Sequence, residues 1–446
     1  MSTIDSREVY DLIVVGSGPA ASIAALNAAS RGLSVKILER GSTSLPGTWF
    51  SKERVSRNLE HAGLFTPAMY KSSALGFPSV LGGGFAANSG LYHWPSTPTL
   101  DTWSAYMDLK EFESSRKKVE SKLKLIPAPV NLSSDLLANT AATLGLDSVP
   151  SQTWQIDSFS AVGPFLAEAL SIGTTLELGV DVSKIIKNKG LYEIVSRSSK
   201  SFFARSVLLA AGALGSYKIA LNSGLIDKDS FLDAHPMIKS VLFPKESLSS
   251  PPSGEIGSTQ VLHQDLIRSG CALGTKWMLS ANHPEVYDKI QNGFLNNQAP
   301  ISWYTQANIH KAFKLSSSSQ KIYQLFDKKT KLIQDSIKEH LSLLQSSGLE
   351  WSLSGTPNQP KLLKNRATLK ISPRFSVVHF SSTIPLGRLV DDCGRFLSDS
   401  KIGVCCSAVL PSSPGVNPQA STMAIADLVS RKFLSSLEEG FSGGYL

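Results

Sequence analysis

The chain lacks the features that would place it in several large classes. Only four cysteines, Cys271, Cys393, Cys405 and Cys406, occur in 446 residues, and none stands at metal-ligand spacing from another. Adjacent Cys405 and Cys406 are poor partners for an ordinary disulfide, so a reduced, cytoplasmic protein without a metal site is expected. No apolar run approaches the length needed to span a bilayer. With a glycine-rich turn already at Gly16, no room for a secretory signal peptide is expected. There is no internal repeat, no stretch long enough to read as disordered, and no nucleic-acid motif, so a nucleic-acid partner is not expected. Charged residues make up only 18% and hydrophobic ones 42%. That balance is ordinary for a soluble globular chain, here long enough for two or three domains.

What charge there is leans positive, with a formal excess of +8. Lys311, Lys314, Lys321, Lys328, Lys329, Lys331 and Lys338 interleave with Ile322, Phe326, Ile333, Ile337, Leu341 and Leu344 at helical spacing. The pattern predicts an amphipathic surface helix around 320–345 with a solvated basic face. Docking to an anionic substrate, a membrane surface or an acidic partner is the functional alternative.

The N-terminal region reads as strand, turn, helix, strand. Leu12 to Val15 is a short, fully apolar run suited to a buried parallel strand. Gly16-Ser-Gly18-Pro-Ala-Ala21 forms the turn, and Ala24, Ala25, Ala28 and Ala29 continue a helix that Gly32 ends. Val35 to Leu38 is the second strand. Gly16 permits the tight turn, Gly18 lets backbone N–H groups approach a pyrophosphate, and Ala21 allows close helix–strand packing. Glu39 follows Gly18 by 21 residues, where an acidic side chain accepts hydrogen bonds from a ribose. Together these predict a dinucleotide site.

Three further stretches carry information. In Leu81-Gly-Gly83-Gly84-Phe-Ala-Ala-Asn88, small residues would let backbone press against a flat ring, or merely build a turn. Strands are predicted from Thr175 through Val182 to Ile186, over Leu191–Val195 and over Phe202–Ala211, with a turn at Asn188-Lys-Gly190. Ala211-Gly212 then leaves the third strand as a small-residue turn that would admit a cofactor close to the backbone. Finally, His379 stands in Val-His-Phe-Ser-Ser-Thr and Asn417 in Pro-Gly-Val-Asn-Pro. A core histidine and a helix-cap asparagine are the plain alternatives. Between residues 235 and 370 the periodicity weakens, and no pattern there identifies what is bound.

Assembled, these stretches resemble the glucose–methanol–choline (GMC) oxidoreductases, FAD-dependent alcohol oxidases and dehydrogenases. The match lies mainly in 8–45, 79–96, 174–236 and 374–435. It includes the glycine-rich flavin-covering loop, the element Leu232-Asp-Ala-His235-Pro236, and a C-terminal block with His379, Thr383, Gly387, Val390-Asp391, Gly394-Arg395, Pro411 and Asn417-Pro418. The resemblance implies an α/β fold: a discontinuous, Rossmann-like FAD-binding domain with an inserted α+β substrate domain on an antiparallel sheet. The expected division is 1–50, 76–100, 150–236 and 376–446 for FAD, and 51–75, 101–149 and 237–375 for substrate.

The same resemblance implies a catalytic pair, His379 and Asn417, of the cholesterol-oxidase-like kind. It implies FAD contacts along Gly16, Gly18, Ala21, Glu39, Gly83, Gly84, Asn88, Val182, Ala211, Gly212, Ser407 and Pro418. Some members attach flavin through a histidine where this chain has Ala87, so the FAD is expected to be non-covalent. Two departures stand out: Ser382 replaces a glycine before Thr383, and Cys406-Ser407-Ala408 replaces Asp-Ala-Ser.

Alcohol oxidation removes a hydroxyl proton and a hydride from one carbon, and flavin takes the hydride. The imidazole of His379, with an ordinary pKa of about 6.5, would accept the proton, so the rate should rise with pH through that ionisation. Asn417 would donate an amide N–H to the same oxygen. The helix start around Pro418 to Ser421 would present its positive dipole end to the flavin. The expected substrate is a primary or secondary alcohol, sugars and polyols included, and dehydrogenase is favoured over oxidase. No pattern reports the electron acceptor. The alternatives are a flavin-bound lyase or other non-redox enzyme on the same scaffold, and an FAD-binding protein without alcohol turnover.

Overall fold

A computed structural model describes residues 8–41, 65–70, 73–87, 91–128, 130–154, 163–244, 259–264, 266–272, 283, 286–295, 300–319, 321–354 and 374–442. Val9–Val15 is a strand with Leu12, Ile13 and Val14 fully buried. It pairs in parallel with Val35–Leu38 on one side and Ser201–Leu209 on the other. The helix Pro19–Ala29 makes the first crossover; its proline sits at the start, where a missing N–H costs no intrahelical bond. Its alanines let it lie close to the last helix, Gln419–Ser442.

Asp399–Val404 joins the far side of Ser201–Leu209, again in parallel. The C-terminal ends of four strands therefore finish along one edge. Gly16 N–H bonds Leu38 O at 2.8 Å, Ala210 N–H bonds Val15 O at 2.9 Å, and Cys405 N–H bonds Leu209 O at 3.1 Å. In open parallel sheets that edge is where ligands bind. Thr175–Glu177 extends the sheet beyond Val35–Leu38. The hairpin Val182–Asn188 with Leu191–Ser196 extends it at the other end, turning through the positive φ of Lys189 (47°) and Gly190 (83°).

A second sheet has nine strands among the described residues. Its centre is Met237–Phe243, Ile301–Ala307, Ile267–Ala272 and Thr259–Gln264, all antiparallel. A parallel exception is Phe375–Val377 against Ser73–Pro78. Lys331–Ser346 is a helix on one face, where His340 Nδ1 lies 2.8 Å from Thr305 Oγ1 and His263 Nδ1 lies 3.2 Å from Glu339 Oε2. The fold class read from the sequence is borne out. Among the described residues no helix is long and apolar enough to cross a membrane.

The basic stretch is a correction. The helix covers only Lys331–Ser346; Lys311 and Lys314 lie on the strand Ile309–Leu315, and Ile322 on the strand Ile322–Gln324. The apparent helical spacing ran across a hairpin, because Phe313, Phe326 and Ile333 all bury on one core from different elements.

Candidate active site

The nucleotide cradle forms where the strand ends meet. Gly16 has φ +107°, and a Cβ there would come 2.5 Å from Ala210 O. No larger residue fits at that position. Gly83 has φ +49° and approaches so closely that its Cβ would lie 3.0 Å from Gly18 Cα. Gly82 N–H donates to Ser17 Oγ at 3.1 Å, which ties the glycine loop, with Gly84, to the first turn. Ala21 is fully buried against the sheet. The N-terminus of the Pro19–Ala29 helix has no side-chain cap, which leaves its N–H groups for an anion.

Glu39 closes the cradle. Its carboxylate accepts from Ser17 N–H at 3.0 Å, Ser17 Oγ at 2.6 Å and Gly41 N–H at 2.7 Å. Burial raises its pKa, while those three donors oppose the rise. A carboxylate offers about four acceptor positions, so one remains for a ribose hydroxyl. Val180 N–H bonds Glu39 O at 2.8 Å, which brings Val182 along the same edge. Ala211 and Gly212 open the helix Gly212–Asn222, also without a side-chain cap. Ser407 begins a short 3₁₀ turn, Ser407–Val409, and its carbonyl accepts from Ser382 N–H at 3.0 Å. Pro418 precedes the last helix and accepts from Thr422 N–H at 2.8 Å. At that helix start Asn417 Oδ1 and Ser421 Oγ are buried without hydrogen-bond partners among the described residues. Orphaned buried polar atoms beside glycine-only contacts fit a large polar cofactor such as FAD. Asn88 lies outside the described residues.

The second centre is a pair of histidines. His379 follows the strand Phe375–Val377, and His235 follows Ser230–Ala234. Their Nδ1 atoms are 3.3 Å apart with the rings edge-on at 81°. His235 Nε2 lies 2.6 Å from Ser413 Oγ. Ser413 N–H in turn donates to Asp233 Oδ2 at 2.9 Å, and Lys311 N–H and His310 Nδ1 hold the rest of that carboxylate. Asp233 thus pins three segments that position His235.

Three buried imidazoles here, His379, His93 and His235, are held neutral. Burial, with the nearby Lys239 charge, pushes His379 down to about 4. Burial and the charges of Arg268 and His379 push His93 down to about 3. Burial takes His235 well below its usual range. The sequence reading assigned no role to His235, His93, Ser413 or Lys239. One of them was visible, since His235 sits in the element Leu232-Asp-Ala-His235-Pro236.

The arrangement defines a class: a dinucleotide-binding α/β protein with a neutral histidine centre. No protein-family model matches the chain. Over 95% of its length it is 22% identical to a Sinorhizobium fredii protein described as an uncharacterized GMC-type oxidoreductase, of which it covers 94%. Three solved structures are similar along nearly the whole chain. Pyridoxine 4-oxidase from Mesorbium loti has a TM-score of 0.71 at 14% identity, covering 95% of this chain and 99% of that one. Aspergillus oryzae formate oxidase gives 0.70 at 13%, covering 97% and 99%. A fungal aryl-alcohol oxidase gives 0.66 at 13%, covering 97% and 100%. The chain has the GMC oxidoreductase fold, which bears out the family resemblance read in the sequence as far as the fold goes.

Proposed function

We propose that the chain is an FAD-dependent oxidoreductase that oxidises the CH–OH group of a small alcohol to the carbonyl. The observation that carries this is a neutral imidazole at His379, steered by His235 at 3.3 Å, in a fold whose solved relatives include an aryl-alcohol oxidase. Bound FAD supplies the acceptor for the substrate's hydride. We assign FAD to the segments 1–50, 76–100, 150–236 and 376–446, and substrate to 51–75, 101–149 and 237–375.

The histidine pair sets which nitrogen is free. If His235 Nε2–H donates to Ser413 Oγ, His235 Nδ1 is an acceptor, and His379 Nδ1–H donates to it. His379 Nε2 is then a bare lone pair that takes the hydroxyl proton as the alcohol becomes a carbonyl. The opposite wiring would protonate Nε2 and remove the base. Asn417, whose amide oxygen has no partner among the described residues, orients the substrate oxygen through its amide N–H. The test is an anaerobic screen of alcohols, sugars and polyols that follows bleaching of the bound flavin. Bleaching with carbonyl product supports the reading; carbonyl product without bleaching would sink it.

A further inference from the structure

The face of the second sheet turned away from the Lys331–Ser346 helix carries polar groups that the histidine pair does not use. Side chains alternate along a strand. Thr305 meets His340 of that helix, so Tyr304 and Gln306 point the other way. Their register partners follow them: Lys239 lies opposite Tyr304, and Arg268 opposite Gln306. Gln260 shares the face through Gly270, whose added Cβ would come 2.7 Å from the Tyr304 hydroxyl. This face looks toward the histidines. Gln260 Nε2 lies 3.2 Å from His93 Nε2, the Lys239 charge acts on His379, and the Arg268 charge acts on His93 and His235.

Two groups there are incomplete. Lys239 is partly buried, and among the described residues its ammonium has neither a hydrogen bond nor an ion pair. Gln306 is 2% exposed, and among the described residues both its amide oxygen and its amide nitrogen lack partners. The charges that act on His93, His235 and His379 are all cationic, with no carboxylate among them. Asp233, the nearby acid, is already held by Lys311 N–H, Ser413 N–H and His310. A buried cation without a counter-ion is costly unless a ligand provides one.

We propose that this face recognises the substrate, and that the substrate is a hydroxy acid whose carboxylate pairs with Lys239 while Gln306 hydrogen-bonds the same end. One unpaired ammonium beside one amide suits a singly charged carboxylate better than a doubly charged phosphate. Oxidation at the carbinol carbon leaves that carboxylate unchanged: the hydroxyl proton goes to His379 Nε2, and FAD, when bound, would supply the acceptor for the hydride. The inference rests on the alcohol-oxidation reading for the reacting end, and on Lys239 for the other.

The test separates the two. Holoenzyme is titrated with two non-oxidisable acid–amide pairs, acetate with acetamide and benzoate with benzamide, following the flavin absorption spectrum and the melting temperature. At least one acid should bind about tenfold to a hundredfold more tightly than its amide, the worth of one charge-assisted hydrogen bond. Lys239→Met should shrink that gap to about twofold, and Lys239→Arg should keep most of it. If neither acid outperforms its amide, or Lys239→Met keeps the gap, the inference falls, whatever the enzyme does with alcohols. If the gap behaves as expected but no hydroxy acid or neutral alcohol bleaches the flavin, the recognition surface stands and the alcohol reading fails.

Discussion

His235 Nδ1 lies 3.3 Å from His379 Nδ1. The contact couples the tautomers of two buried imidazoles, so in the proposed mechanism His235 would act through His379 as a positioning residue. His235→Ala should slow flavin reduction by about tenfold to a hundredfold, the worth of one positioning hydrogen bond, with little change in KM. His235→Gln, whose amide oxygen can accept from His379 Nδ1, should recover part of the loss. Equal loss in both variants would make His235 a packing residue only.

Removing the base itself should cost more. His379→Ala should keep FAD bound yet slow flavin reduction by about a hundredfold to ten-thousandfold. Asn417→Ala should cost about 10²–10³, one transition-state hydrogen bond. Rapid-mixing measurement of flavin bleaching reads both, and a flavin-replete His379→Ala enzyme reduced at the native rate would remove His379 from the chemistry.

The pH profile should differ from the one the bare residue type suggests. His379 is pushed down to about 4 by burial and by Lys239. The rate of flavin reduction should therefore rise with pH through about 4 and be flat near neutrality, instead of rising through about 6.5. Lys239→Met removes a cation that disfavours imidazolium, so the inflection should move up. A native inflection still at about 6.5 would contradict the burial of this ring.

Acid should unfold the protein early. His93 and His340 are both held down to about 3 by burial, and both are almost fully enclosed. Their folded pKa values lie below the unfolded one of about 6.5, so the unfolded chain binds more protons below that pH. Stability is complete above about pH 6.5 and falls progressively toward pH 3, by about 1.4 kcal/mol per pH unit per histidine. A melting temperature unchanged between pH 7 and pH 5 would contradict this.

Glu39→Ala should do two things at once. It removes a ribose acceptor, which weakens FAD binding by about tenfold to a hundredfold. It also strips the partner from the Ser17 and Gly41 N–H groups, which costs about 1–3 kcal/mol of stability for each donor left buried and unpaired. Equilibrium dialysis and thermal melts measure the two separately. Because residue 87 is alanine, acid precipitation of the native enzyme should release all the flavin into the supernatant as FAD.

Local rules were enough for the nucleotide half. The tight turn at Gly16, the apolar strand before it and the alanine helix after it each follow from sterics within a few residues. The structure adds the reason no other residue serves at Gly16, a carbonyl at Ala210 some two hundred positions away. The hairpin at Lys189 and Gly190 was legible for the same reason: turn chemistry is local. The basic stretch was not. Its apolar residues repeat like a helix while belonging to a strand, a turn and a helix that share one core, and spacing alone does not reveal which neighbour buries a side chain. The amino-acid sequence by itself determined the cradle, its residue types and the late histidine. Only the tertiary structure decided that His235, 144 positions from His379, meets it edge-on, and that among the described residues Lys239 has no counter-ion on the sheet that faces them. Both are long-range facts, because a pKa or a tautomer depends on what the fold packs around a group and not on the residues beside it in the chain.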